Sequence, residues 1–217
     1  MDELIVRIES TAGEERRAEP SRVAIVRAAT ELFLAHGFQA TGTDRIAAAA
    51  AVSKQTVYNQ FGDKRRLFAA VVLGVTATAE AYGAELTATL EAVERREDVG
   101  PALRLLAHRW TAAVLAPGVL AVRRLVVTEA GRFPDLAAEY HRRAPGATLQ
   151  TVATGLGRLA QRGLVDVTDP ERTAADLAFL LFGAELDHAM FHPEAPPPDE
   201  RRIAELVDHA LRVVGLA

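Results

Sequence analysis

The chain has 217 residues, 49% of them apolar and 25% charged, with a formal net charge of −4. That length and composition suit a soluble chain with one or two domains and a real core. Zero cysteines exclude disulfides and thiolate metal sites and fit a reducing cytoplasm, and the apolar run at 46–52 falls far short of the roughly 18 residues of a membrane span.

Residues 1–20 lack the basic start and apolar middle of a signal peptide, and their mixture of charge and small residues reads as a mobile arm. Ser21 is placed to cap a helix whose apolar stripe is Ile25, Ala28, Ala29, Leu32 and Phe33, and Gly37 ends it. Thr43, Ser53 and Asp63 are then expected to cap a second, third and fourth helix. The second and third lie in IAAAAAVSKQTVYNQ (46–60), two short helices joined at Ala51-Val52-Ser53. That is the layout of a helix-turn-helix, which sets its second helix into the DNA major groove. The small side chains at 47–51 let the two helices cross closely. The fourth helix is predicted to continue as a connector to about Arg96.

After Gly100-Pro101 a helix with the face Leu103, Leu106, Ala107, Trp110 and Val114 is expected, closed by Pro117-Gly118. A helix over 119–130, a break at Gly131-Arg132-Phe133-Pro134, a short helix over 135–143, a loop at Pro145-Gly146 and a helix to about Gln161 follow. Asp169-Pro170 is a start signal for a helix running to Phe191 and stopped by Pro193. EAPPP (194–198) reads as a rigid linker, and Asp199 caps a last helix to Gly215. No strand alternation is visible, so the fold class is all-α, with nine or ten helices.

Charge separates along this order. From Pro20 to Phe68 seven Lys/Arg face only Glu31, Asp44 and Asp63, while the remainder of the chain is acidic. A basic N-terminal module on an acidic body turns one end toward DNA. Within it Lys64, Arg65 and Arg66 directly follow the cap Asp63. Cations in a first turn oppose the helix dipole by about 0.3–1 kcal/mol each. A chain that grips phosphate tolerates this, since free N–H groups and basic side chains bind an anion together.

Ala28-Ala29, Leu32-Phe33, Gly37-Phe38, Thr41, Ile46-Ala47, Val52-Ser53, Thr56-Val57-Tyr58, Phe61, Lys64 and Leu67-Phe68 resemble the N-terminal domain of the TetR family of transcriptional regulators. Three residues depart from the family pattern. Ala51 and Gln55 stand where glycine is usual or frequent, so a left-handed backbone at Ala51 would be mildly strained, and Arg65 replaces a common acidic residue. Arg124-Leu125-Val126, Glu129-Ala130 and Arg132-Phe133-Pro134-Asp135-Leu136 are similar to the effector domain of an AefR-like subgroup. The resemblance implies a helix-turn-helix domain over 21–68 and an effector-binding and dimerisation domain over 69–217. It also implies a homodimeric repressor that leaves double-stranded operator DNA when a small molecule binds.

Gln55 and Thr56 are the residues expected at base edges, because each can donate and accept in the major groove. Asn59 is a further candidate for a base or a nearby phosphate. Thr43, Ser53, Lys54, Tyr58 and Lys64 are assigned to phosphates, the last two by the resemblance. For the small-molecule effector, Leu106, Arg109, Trp110, Phe133, Leu136, Tyr140, Phe179 and Phe182 are the candidate lining of one apolar cavity, although such rings also simply fill cores. The small residues Gly155, Gly157, Ala174, Ala178, Gly183 and Ala184 suggest close helix packing between two subunits. His188 and His192 lie four apart, but no third ligand follows from spacing, and no metal, cofactor or membrane partner is expected. The alternatives are a non-specific architectural DNA-binding protein and a helical metal-dependent enzyme. The chain shows neither a nucleophile paired with a base nor a phosphate loop, so an enzyme is not expected.

Overall fold

The structure, a computed structural model, describes residues 20–216, so the arm expected at 1–20 lies outside the described residues apart from Pro20. Among the described residues the regular structure is entirely helical: α1 (Pro20–Ala40), α2 (Thr43–Ala49), α3 (Lys54–Phe61), α4 (Lys64–Glu91), α5 (Arg96–Val114), α6 (Pro117–Glu129), α7 (Pro134–His141), α8 (Ala147–Gln161), α9 (Pro170–Ala178), α10 (Ala184–Phe191) and α11 (Glu200–Val213). Two compact units result. The first holds the described residues up to Thr78 together with Ala121–Arg142, and the second holds Ala79–Leu120 and the described residues from Arg143 on.

In the first unit α1 buries Ile25, Ala28, Ala29 and Phe33, the stripe read from its sequence. Gly37 breaks the helix with φ 73°, a left-handed value that costs glycine least. The carbonyls freed there are not left bare: Thr41 Oγ1 donates to Gly37 O at 2.8 Å and to Leu32 O at 3.1 Å. Phe38 then turns inward onto Phe68, with ring centroids 5.1 Å apart. Phe33 meets Phe68 edge-on at 5.2 Å, and Phe133 closes the cluster at 4.8 Å from Phe38. Residues 121–142, placed in the C-terminal domain by the sequence division, thus help to build the core of the N-terminal helices.

The second unit packs the end of α4, α5, α8, α9 and α11 around Leu86, Leu90, Leu103, Leu106, Trp110, Leu156, Leu177 and Leu211. Gly155 on α8 sits against Leu90 so closely that an added Cβ would lie 2.2 Å from its Cδ1. Gly157 faces Pro170, and Ala174 is wholly buried. Several of the small residues read as an intersubunit surface therefore serve contacts inside the chain.

Ser53, Asp63, Asp169 and Asp199 all cap as expected, each oxygen accepting from a backbone N–H at 2.8–3.0 Å. Thr43 does not: it is the first helical residue, and Gly42 occupies the cap without a side chain to donate an acceptor. The connector α4 ends at Glu91, and α5 opens at Arg96 and carries Pro101 inside. Pro117 begins α6 instead of closing α5, as its missing N–H permits. The loop expected at Pro145-Gly146 is a π-helical turn over Arg142–Gly146, joining α7 to α8. Pro145 has no N–H to return to the preceding turn, and its ring crowds the carbonyl four residues back; a wider turn accommodates both. A second π-helical turn, Phe179–Gly183, joins α9 to α10, so the helix opened at Asp169-Pro170 does reach Phe191.

Candidate functional site

The α2–α3 crossing is made by small and branched side chains. Ile46, Ala47, Val57 and Phe61 are buried, and the turn between the helices closes with Val52 N–H donating to Ala47 O at 3.0 Å. Ala51 takes φ 53°, the left-handed conformation anticipated where the family favours glycine. A non-glycine residue there costs on the order of 1–2 kcal/mol, which the surrounding bonds must offset. Arg22 on α1 secures α3 from behind: it donates to Gln60 O at 3.3 Å and its guanidinium lies 4.4 Å from the Phe61 ring centroid.

This scaffold leaves one face of α3 outward. Lys54, Gln55 and Asn59 are exposed and Tyr58 retains 39% of its surface. Several of these polar groups are already linked to one another. Ser53 Oγ accepts from Thr56 N–H at 3.0 Å and lies 2.8 Å from Thr56 Oγ1, which is half-buried. Lys54 Nζ lies 2.8 Å from Asp44 Oδ1 on α2, and that hydrogen-bonded carboxylate raises the lysine pKa. Gln55 Nε2 donates to Asn59 Oδ1 at 2.8 Å, an i, i+4 pair along the outer face. Thr43 is half-buried at the start of α2.

Lys64 departs most from the sequence expectation. Its ammonium turns inward, donating to Phe38 O at 2.8 Å and Thr41 O at 3.0 Å, and sits 4.1 Å from the Phe38 ring centroid. Burial, with Arg132 second, lowers its pKa, and Glu129 opposes the shift. Two of its three N–H donors are thus committed to the end of α1. Lys64→Met should leave both carbonyls without this donor and cost about 1–3 kcal/mol, read as a lower midpoint in chemical denaturation. The slope of log K for DNA against log salt should stay as it is. A slope shallower by about one charge with unaltered stability would make Lys64 a phosphate contact instead.

The residues proposed to line one cavity are divided between the two units. Phe133, Leu136 and Tyr140 belong to the first, where Phe133 completes the Phe38–Phe68 cluster and Tyr140 is buried. Leu106, Arg109, Trp110, Phe179 and Phe182 belong to the second. There Trp110 and Phe182 meet edge-on at 5.3 Å, Leu106 is buried, Arg109 is exposed, and Phe179 is 77% exposed, its ring lying over Gly183. Periodicity placed Phe179 on a helix, but the π-helical turn it opens aims it outward. A groove of about 640 Å³ does open in the second unit, lined by Thr87, Leu90, Glu91, Gly155, Arg158 and Arg162 among others, with Arg158 paired to Glu91. None of the expected lining residues borders it. His188 and His192 stack with centroids 4.3 Å apart, and among the described residues no group of three or more His, Asp or Glu is arranged to hold a metal ion.

The comparison with known sequences bears on both units. The family model of bacterial regulatory proteins of the tetR family matches residues 25–71, and that of the AefR-like transcriptional repressor C-terminal domain matches residues 101–216. The chain belongs to the TetR family of transcriptional regulators. Its resemblance to solved TetR-family structures runs through both halves. A TetR-family transcriptional regulator from Mesorhizobium loti MAFF303099 is 30% identical with a TM-score of 0.78, covering 89% of this chain and 96% of that one. The flavonoid-responsive regulator FrrA is 29% identical (TM-score 0.68), covering 89% and 94%. A TetR-family regulator from Pseudomonas syringae pv. tomato str. DC3000 is 26% identical (TM-score 0.65), again covering 89% and 94%. No curated protein matches the chain. Among the described residues of this TetR-family chain, no single helix is long and apolar enough to cross a membrane. Sequence reasoning overlooked the supports of the α3 face, namely Asp44 and Arg22. The available signal was the acidic residue opening a helix that must cross a lysine-led one.

Proposed function

We propose that this TetR-family protein is a homodimeric repressor that binds operator DNA sequence-specifically through α3 and is released by a small apolar or amphiphilic molecule. The observation that carries the reading is the outward face of α3, where Gln55, Tyr58 and Asn59 stand exposed on a helix held by Ser53, Val57 and Phe61. A helix of this size presents too few side chains to specify a useful site alone. A two-fold dimer doubles the contact, with half-sites about 34–36 Å apart. Phe179, Leu180, Val213 and Val214 border a shallow depression on the second unit, with Phe179 and Val213 largely exposed, and we assign the dimer contact to this patch. Gln55 works at base edges with Asn59 beside it; Thr43, Ser53, Lys54, Thr56 and Tyr58 contact the DNA backbone, and Lys64 holds the start of α4 from within. A relative that is flavonoid-responsive supports an effector with an aromatic body. The second unit offers it the groove that Leu90 and Gly155 border, while the Trp110–Phe182 pair lies in the packed core.

The deciding experiment is binding of the purified protein to labelled DNA from upstream of its own gene, against a shuffled control at near-physiological salt. Preference for the upstream DNA by about a thousandfold or more is expected, and flavonoids added to the complex should release it. Equal, salt-sensitive binding to the upstream DNA, the control and a fully randomised pool would replace this reading with an architectural one.

A further inference from the structure

Resting on the reading of α3 as the recognition helix, we propose that Gln55 reads an adenine in the major groove and that Asn59 is the positioning residue that holds its amide in plane. The candidates around Gln55 have partners of a different kind. Lys54 is drawn back onto Asp44 of α2, and Ser53 and Thr56 satisfy one another. What α3 offers base edges is therefore one linked pair of carboxamides, with Gln55 Nε2 donating to Asn59 Oδ1 at 2.8 Å and both residues exposed.

A carboxamide carries two N–H donors and an oxygen with two lone pairs. With one N–H given to Asn59, Gln55 keeps an acceptor and a donor side by side on one rigid plane. Reversing the direction of the link uses one lone pair of the Gln55 oxygen instead of an N–H and still leaves Gln55 a donor beside an acceptor. Adenine is the base whose major-groove edge complements that set, presenting the N6 amino donor beside the N7 acceptor. Guanine presents two acceptors, N7 and O6, so the amide oxygen would face an oxygen. Cytosine presents only a donor and thymine only an acceptor beside its methyl group. The link to Asn59, one turn along the same face, restricts the rotation of a long side chain before DNA arrives, so less freedom is lost on binding.

Selection of half-sites from a randomised DNA library tests this with wild type, Gln55→Ala, Asn59→Ala and the double variant. Both side chains are exposed and outside the core, so helical content by circular dichroism should match wild type in all four. Wild type should fix an A·T pair in each half-site. Both single variants should relax preference at that same pair, by about tenfold or more for Gln55→Ala, with the double variant little worse than Gln55→Ala. Placing 7-deaza-adenine at the selected position should weaken wild type by a similar factor and leave Gln55→Ala unchanged. A G·C pair there, indifference to the deaza base, or an Asn59→Ala effect confined to another base pair would each overturn the assignment. Failure of wild type to select any site would overturn the recognition-helix reading and this inference together.

Discussion

Phe68→Ala should remove about 3–5 kcal/mol of stability and with it specific DNA binding. Phe68 retains 1% of its surface, and its ring meets Phe33 at 5.2 Å, Phe38 at 5.1 Å and Phe133 at 5.2 Å. Two of these contacts are edge-on, an arrangement that adds to the burial itself. Alanine leaves a hole bordered by three other rings that are too rigid to collapse into it. A domain's whole stability is about 5–15 kcal/mol, so the substitution consumes a large share. Urea denaturation followed by far-ultraviolet circular dichroism reads the effect. A loss below about 1 kcal/mol would mean that the rings do not meet as described. Phe68→Leu, which keeps most of the volume, should fall between wild type and Phe68→Ala.

Gly155→Val is expected to destabilise the second unit by about 1–3 kcal/mol or more through overpacking. Even the Cβ alone would lie 2.2 Å from Leu90 Cδ1 and 3.5 Å from Leu90 Cβ. Leu90 is 3% exposed, so its displacement must disturb the core it shares with Leu86 and Leu156 or swing into the neighbouring groove. Valine also adds two methyl groups beyond the Cβ. Helix propensity offers little compensation, since glycine and valine are both poor helix formers. The diagnostic measurement is a double-mutant cycle with Leu90→Ala. Gly155→Val should cost less on that background, because the space it invades has been vacated. Additive losses would show that the two residues do not share that space.

What could be read from the sequence was whatever a few neighbouring residues decide among themselves. Ser53, Asp63, Asp169 and Asp199 reach a backbone N–H three residues on, so their capping needs no knowledge of the rest of the chain. Gly37 followed from backbone sterics in the same way, while the left-handed turn at Ala51 was legible only through the family resemblance. Pro145 misled because proline says that a regular helix cannot continue, not whether the chain leaves the helix or widens its turn. The aromatic residues misled for another reason. Their spacing shows that Trp110 and Phe179 ride on helices and that Phe133 lies in a break, but which neighbour each ring meets depends on residues far away in sequence. Phe133 meets Phe38, and Trp110 meets Phe182, contacts that no local window contains. The linked amides of the α3 face are intermediate: the i, i+4 spacing of Gln55 and Asn59 was visible, but the pairing of exposed Lys54 with Asp44 and the inward turn of Lys64 on α4 were not.

The Phe38–Phe68–Phe133 cluster also orders events during synthesis. A ribosome releases α1 to α4 well before residue 133, and until then Phe38 and Phe68 lack the ring that covers them. The reading head is thus a discontinuous piece of the polypeptide, assembled only when its second stretch, 121–142, emerges. A fragment cut after α4 would display those phenylalanines to solvent, and the nascent chain does so for seconds in every round of translation.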